Sequence, residues 1–176
     1  MARLTTTDFN HERLCLAFTS LQMARVCLAD AYSYVVTSMT FGKHFVEHQA
    51  IRNRLTTLDT RILPSHAFME SVIVIADSKT NGINASPPRY GGLIVLLKVT
   101  AARALEEAVR ESQQVMSGLG YSRTGNGSRI EQISRGVRVM VVGGGTEEIM
   151  NELAFVQGRL CLNSILENGS ERRCKL

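Results

Sequence analysis

An all-α, up-and-down helical bundle is the fold class this sequence predicts, on three observations. Apolar residues recur at steps of three, four and seven through most of the chain, and no stretch sustains the alternation of a strand. Prolines number 3 and aromatic residues make up 6%, a balance that favours helices over short strands and turns. The 176 residues, 44% hydrophobic and 20% charged, are enough for one domain with its own core and too apolar for disorder.

The first block runs from about residue 10 to residue 38, with Leu14, Phe18, Leu21, Leu28, Tyr32 and Val35 on one stripe. Thr40-Phe41-Gly42 breaks it. A second block, from about 46 to 79, repeats the spacing at Ile51, Leu55, Leu58 and Ile62. Pro64 lies inside it and predicts a kink or a division into two helices. Residues 80 to 90, with Asn81-Gly82 and Pro87-Pro88, read as a loop. The third block, 91 to 116, is apolar nearly all round at Leu93 to Leu97, which predicts burial in the bundle or at a subunit interface. A glycine-bearing loop (117–128) and a short helix (129–142) follow. Gly143-Gly144-Gly145 then leads to a last helix, 146 to 166, with Thr146 as N-cap and Glu147 and Glu148 at the positive end of its dipole. The expected organisation is an extension (1–8), a bundle (9–166) and a polar basic tail (167–176).

Charge gives little away. The net charge of +4 would permit nucleic acid as a partner, but the basic residues are scattered except for Arg172, Arg173 and Lys175, so no such interface is expected. No signal-like start and no apolar run of about 18 residues is seen, so neither export nor a membrane span is expected. The expected location is intracellular, in the cytoplasm. Cys15, Cys27, Cys161 and Cys174 form no CxxC pair and read as small apolar residues in a reducing compartment.

His44-x-x-Glu47-His48 has the spacing of a metal-binding helix face, but a third ligand is not identifiable and the reading is rejected. Gly143 to Gly145 before a helix resembles an anion cradle, yet no Lys-Ser/Thr follows and no βαβ unit surrounds it. Taken alone, Glu12 reads as a dipole partner of the first helix.

Four segments in order carry a resemblance. Thr40-Phe41-Gly42-Lys43 with Glu47-His48-Gln49-Ala50-Ile51-Arg52, then Gln114-x-x-Ser117-Gly118-x-Gly120-Tyr121, Arg135-Gly136-x-Arg138, and Gly144-Gly145-Thr146-x-Glu148-Ile149 resemble the C-terminal helical domain of acyl-CoA dehydrogenases. The family's N-terminal helical domain and middle β-domain have no counterpart in these residues. The resemblance implies a four-helix bundle of that domain type and FAD as cofactor. It also implies an acyl-CoA or other hydrophobic small molecule as substrate, and a homodimer or homotetramer. A further polypeptide would supply the missing domains. In the family a glutamate removes the α-proton while the flavin takes the β-hydride. The commoner base position is Gly144 here, whereas Glu12, in His11-Glu12-Arg13-Leu14, falls where isovaleryl-CoA dehydrogenase-like members carry theirs. The resemblance further implies that Phe9, Asn10 and Arg13 contact the CoA portion and that the Gly144 N–H binds the thioester carbonyl. Thr40, Phe41, His48, Gln49, Gln114, Gly118, Thr146 and Glu148 would contact flavin. Four positions depart from the pattern. Ser38 stands in place of an arginine, Ser117 in place of glycine, Gly136 in place of the aspartate that would partner Arg135, and the acid Glu148 where glutamine is common. Two other functions are compatible with these residues: a flavin-free enzyme using the pocket for isomerisation, dehydration or cyclisation, and a non-catalytic oligomerising remnant.

Overall fold

The computed structural model describes residues 9–79 and 88–173. Helix α1 (Asn10–Thr37) is followed by a two-strand hairpin, β1 (Met39–Thr40) and β2 (Lys43–His44), antiparallel with Thr40 opposite Lys43. A 3-10 turn (Phe45–Glu47) leads to α2 (Gln49–Lys79). Helix α3 is Pro88–Met116, and two more 3-10 turns, Ser117–Tyr121 and Gly125–Gly127, precede α4 (Ser128–Val142) and α5 (Glu147–Arg173).

The core explains the topology. Buried Leu14, Ala17, Leu21, Ala24, Leu28, Ala31 and Val35 repeat at alternating steps of three and four along α1, the spacing that keeps one seam on a partner helix. That partner is α3. The N-terminal half of α1 packs with Ile94, Leu97, Ala101 and Ala104, and its C-terminal half with Leu105, Ala108, Val109, Val115 and Met116. The two helices are therefore parallel, and alanines on both let their backbones approach. Helix α2 runs the other way, with Leu55, Leu58 and Ile62 against the late part of α1 and Val72 against its early part. Helix α4 also descends along α3, and α5 continues in that direction, with Met150 on Val95 and Val99.

Several expectations are revised. Pro64 does not divide α2, which is continuous through it. The turn before it buries Leu58 and Ile62 and the turns after it bury Ser65 and Val72. Contacts on both sides thus offset the roughly 3 kcal/mol that an interior proline costs. Helix α3 starts at Pro88, earlier than expected, since proline suits a first helical turn. Residues 80–87 of the expected loop lie outside the described residues, as do 1–8 and 174–176. Helix α5 extends to Arg173, into the expected tail. By length and composition α1 could cross a membrane, against the expectation that no segment would reach that threshold. Its apolar seam, however, is part of the bundle core. The glycine-bearing loop is closed by necessity, because a Cβ on Gly127 would lie 1.9 Å from the Leu119 carbonyl oxygen.

Candidate functional site

The residues singled out in the sequence fall at opposite ends of the bundle. The 28 residues of α1 span about 42 Å at 1.5 Å per residue and separate the two groups.

At one end, the first turn of α1 meets the turn between α4 and α5. Arg13 Nε donates to the Gly144 carbonyl oxygen at 3.2 Å, and Nη1 lies 3.5 Å from Asn10 Oδ1. The guanidinium stacks 5.9 Å over the Phe9 ring. Asn10 and Arg13 are buried, Phe9 is half exposed and Glu12 is exposed. Burial lowers the Arg13 pKa, partly offset by Glu12. Gly144 has φ +72°, a left-handed conformation in which glycine pays no steric cost. A Cβ built there would point at Arg13 Cγ and Leu16 Cδ1, each 3.2 Å away. The position from which the commoner base would project thus faces the helix turns that surround Glu12. Gly143 N–H donates to Val139 O and Gly145 N–H to Val142 O, while Gly144 N–H forms no backbone hydrogen bond among the described residues. Thr146 O accepts from Met150 N–H, the first bond of α5. Glu148, exposed, has a lowered pKa because its carboxylate accepts from its own N–H and from the Thr146 hydroxyl. These bonds make the N-terminus of α5 a self-capped end.

Beneath this turn lies a residue that sequence reading missed. Lys98, on α3, is 2% exposed, and its ammonium donates to Gly145 O at 2.8 Å and to Val141 O. Burial lowers its pKa, as does the like charge of Arg13, with Glu147 acting in opposition. Glu147 is paired with Arg103, which holds its carboxyl below the ordinary value. The one signal in the sequence was a lysine inside the most apolar run of the chain.

At the other end, Phe41 and Gly42 form the hairpin loop with φ +52° and +77°. Phe41 is 93% exposed. An aromatic ring held in left-handed backbone and offered to solvent is strained for no gain in core packing. His48 Nε2 lies 3.4 Å from Thr40 O and its ring meets Phe45 edge-on, while Gln49 is exposed. Gln114 borders an open groove of about 440 Å³ with Arg110, Gln113, Ser117 and Tyr121, and Gly118 is exposed beside it. Ser117 has φ +51°, so the side chain that replaces glycine sits where glycine would be free of strain. Arg135 is not left alone by Gly136. Its Nε pairs with Glu131 Oε1, one helical turn earlier, at 3.0 Å. His44 and Glu47 sit on a 3-10 turn rather than one helix face, and His44 N–H donates to Glu47 Oε1 at 3.0 Å in a reciprocal cap.

The residues that the resemblance assigns to flavin are therefore not brought together on one bundle. Thr40, Phe41, His48, Gln49, Gln114 and Gly118 share the hairpin end, whereas Thr146 and Glu148 belong to the glycine turn, with about 24 Å of α3 between Lys98 and Gln114.

The family model for the acyl-CoA dehydrogenase, C-terminal domain, matches residues 2–155. Acyl-CoA dehydrogenase AFT10-1 of Alternaria alternata is 44% identical over 157 residues, 89% of this chain and 36% of that protein. Acyl-CoA dehydrogenase apdG of Emericella nidulans is 29% identical over 156 residues, 88% of this chain and 35% of its own length. Among solved structures, a probable acyl-CoA dehydrogenase from Mycobacterium abscessus superposes with a TM-score of 0.74 at 28% identity, over 85% of this chain and 37% of that one. The chain thus spans little more than a third of the length of the relatives it matches. With the helix order, the glycine turn and the hairpin in place, this chain belongs to the acyl-CoA dehydrogenase family and corresponds to its C-terminal helical domain.

Proposed function

We propose that the chain works as the C-terminal part of an FAD-dependent acyl-CoA dehydrogenase. In this reading Glu12 is the base for the α-proton and the Gly144 N–H is donor to the thioester carbonyl. One observation carries the reading: the turn at Gly144, which has no side chain to act as a base, abuts the α1 turn that bears Glu12, through Arg13 and Leu16. Proton abstraction next to a thioester leaves negative charge on the carbonyl oxygen, and an N–H aimed at it stabilises that charge as it forms. Bound FAD would supply the acceptor for the β-hydride. The two flavin-contact groups lie at opposite ends, so one FAD is completed by the hairpin end of one copy and the glycine turn of a second. Glu12 is exposed in this chain, and a carboxylate acting as base at neutral pH needs water excluded. The polypeptide that supplies the missing domains provides that cover.

The test uses the full chain with a polypeptide carrying the N-terminal helical and β-domains of a relative. The mixture should retain flavin absorbance through gel filtration and oxidise an acyl-CoA with an artificial acceptor. Glu12→Gln should lower that rate about 10²–10⁴-fold with flavin retained. A colourless mixture, or full activity in Glu12→Gln, would overturn the proposal. Ser38 in place of an arginine and Ser117 in place of glycine favour one competing reading, cofactor-free proton transfer by Glu12 on a hydrophobic substrate. It predicts turnover by the chain alone that is lost in Glu12→Gln.

A further inference from the structure

Burying an ammonium is costly, and Lys98 meets that cost with backbone carbonyls rather than a hydrogen-bonded carboxylate. Those carbonyls come from residues 43 and 47 positions away, on either side of Gly144. A methionine of similar length would fill the same space with no charge to desolvate, so core packing alone does not call for lysine. The bonds also have a direction. Lys98 takes the oxygens of Val141 and Gly145, Arg13 takes that of Gly144, and in-turn bonds use the N–H groups of Gly143 and Gly145. Every other carbonyl and amide named in this turn is thereby fixed, and the Gly144 N–H is left to donate elsewhere.

We propose that Lys98 is a positioning residue. By holding the carbonyls on both sides of Gly144 towards α3, it keeps the Gly144 N–H turned out towards an acyl thioester oxygen. The inference rests on the acyl-thioester reading above and adds to it a residue that never touches the substrate. The ammonium is bonded to carbonyls on both sides of Gly144, so its positive field also favours negative charge at this turn.

The test compares two probes by calorimetry on the full chain combined with the polypeptide that carries the missing domains: octanoyl-CoA, and the thioether S-octyl-CoA, which lacks the carbonyl oxygen. The native protein should bind the thioester at least tenfold more tightly. Lys98→Met should bring the two Kd values within about twofold while leaving the thioether Kd unchanged, and Lys98→Gln, which keeps an N–H donor, should fall between. A purely structural lysine would weaken both probes equally or neither. Retention of the tenfold preference in Lys98→Met at native helicity would overturn the inference and leave the acyl-thioester reading standing. Failure of the native assembly to bind either probe would overturn the reading itself. Should Lys98→Met lose helix, the glycine amides of the 15N-labelled native chain decide. Octanoyl-CoA must shift the Gly144 resonance where S-octyl-CoA does not, with Gly143 and Gly145 nearly unmoved. Equal shifts from both probes would overturn the inference.

Discussion

The two ends of the bundle spend their polar groups in opposite ways. At the glycine turn, Asn10, Arg13 and Lys98 are buried and bonded to one another or to backbone. At the hairpin end the basic side chains lie on the outside, Arg54 and Arg110 on Glu111 and Arg123 and Arg135 on Glu131, with the arginines 44–78% exposed. There the apolar Phe41 is the exposed group. Water screens the second set and not the first, so the same residue types contribute little at one end and fix backbone geometry at the other.

The most damaging substitution should not distinguish the ends at all. Leu105, buried in the seam between α1 and α3, is common support. Leu105→Ala should cost about 2–5 kcal/mol, a fall in melting temperature of roughly 5–20 °C by calorimetry. The comparison proper is Lys98→Met against Arg54→Met. The first leaves two buried carbonyls unpaired at about 1–3 kcal/mol each, less the desolvation it relieves, and should lower the urea midpoint clearly. The second removes a half-exposed arginine from the buried Glu111, which keeps Arg110 as a partner, and should cost less, about 1 kcal/mol. Equal costs would break the contrast.

A pair of glycine exchanges should move in opposite directions. Gly144→Ala forces a side chain into left-handed backbone against Arg13 and Leu16 and should cost about 1–2 kcal/mol. Ser117→Gly relieves the same strain at the hairpin end and should gain up to about 1 kcal/mol, both read from urea midpoints. The smallest effect is that of Arg103→Met at the glycine turn. Arg103 lowers the Glu147 pKa below 4.5, so the pair's contribution is complete above that value and disappears as the pH falls through the lower folded-state value. The variant should therefore lose slightly in melting temperature at pH 7, and the difference should shrink as the pH is lowered below 4.5.

Much of the fold was legible because it repeats. Leu14, Leu21, Leu28 and Val35 marked one face of α1 from their spacing alone, although Ala17, Ala24 and Ala31 of the same seam went unread. Alanine shows its role only when a partner helix comes close. The TFGK, QxxSG and GGT segments were legible as motifs, yet their order along the chain concealed that they sit at two ends. Arg135 looked unpartnered because the substitute, Glu131, lies outside the motif, one turn away on the same face of α4. His44-x-x-Glu47-His48 had metal spacing only if helical, and the hairpin before it turned the segment into a 3-10 cap.

Helix content, the larger residues of the seams and the family could be read from the chain, since periodicity and local motifs are properties of neighbouring residues. Packing placed Lys98 beneath Gly145, set Gly144 against the α1 turn that bears Glu12, and put the Thr40 and Gln114 segments at the other end of the bundle. Each depends on segments far apart in the chain and on which polar groups lose their water. Burial, unlike spacing, is settled only when the helices pack.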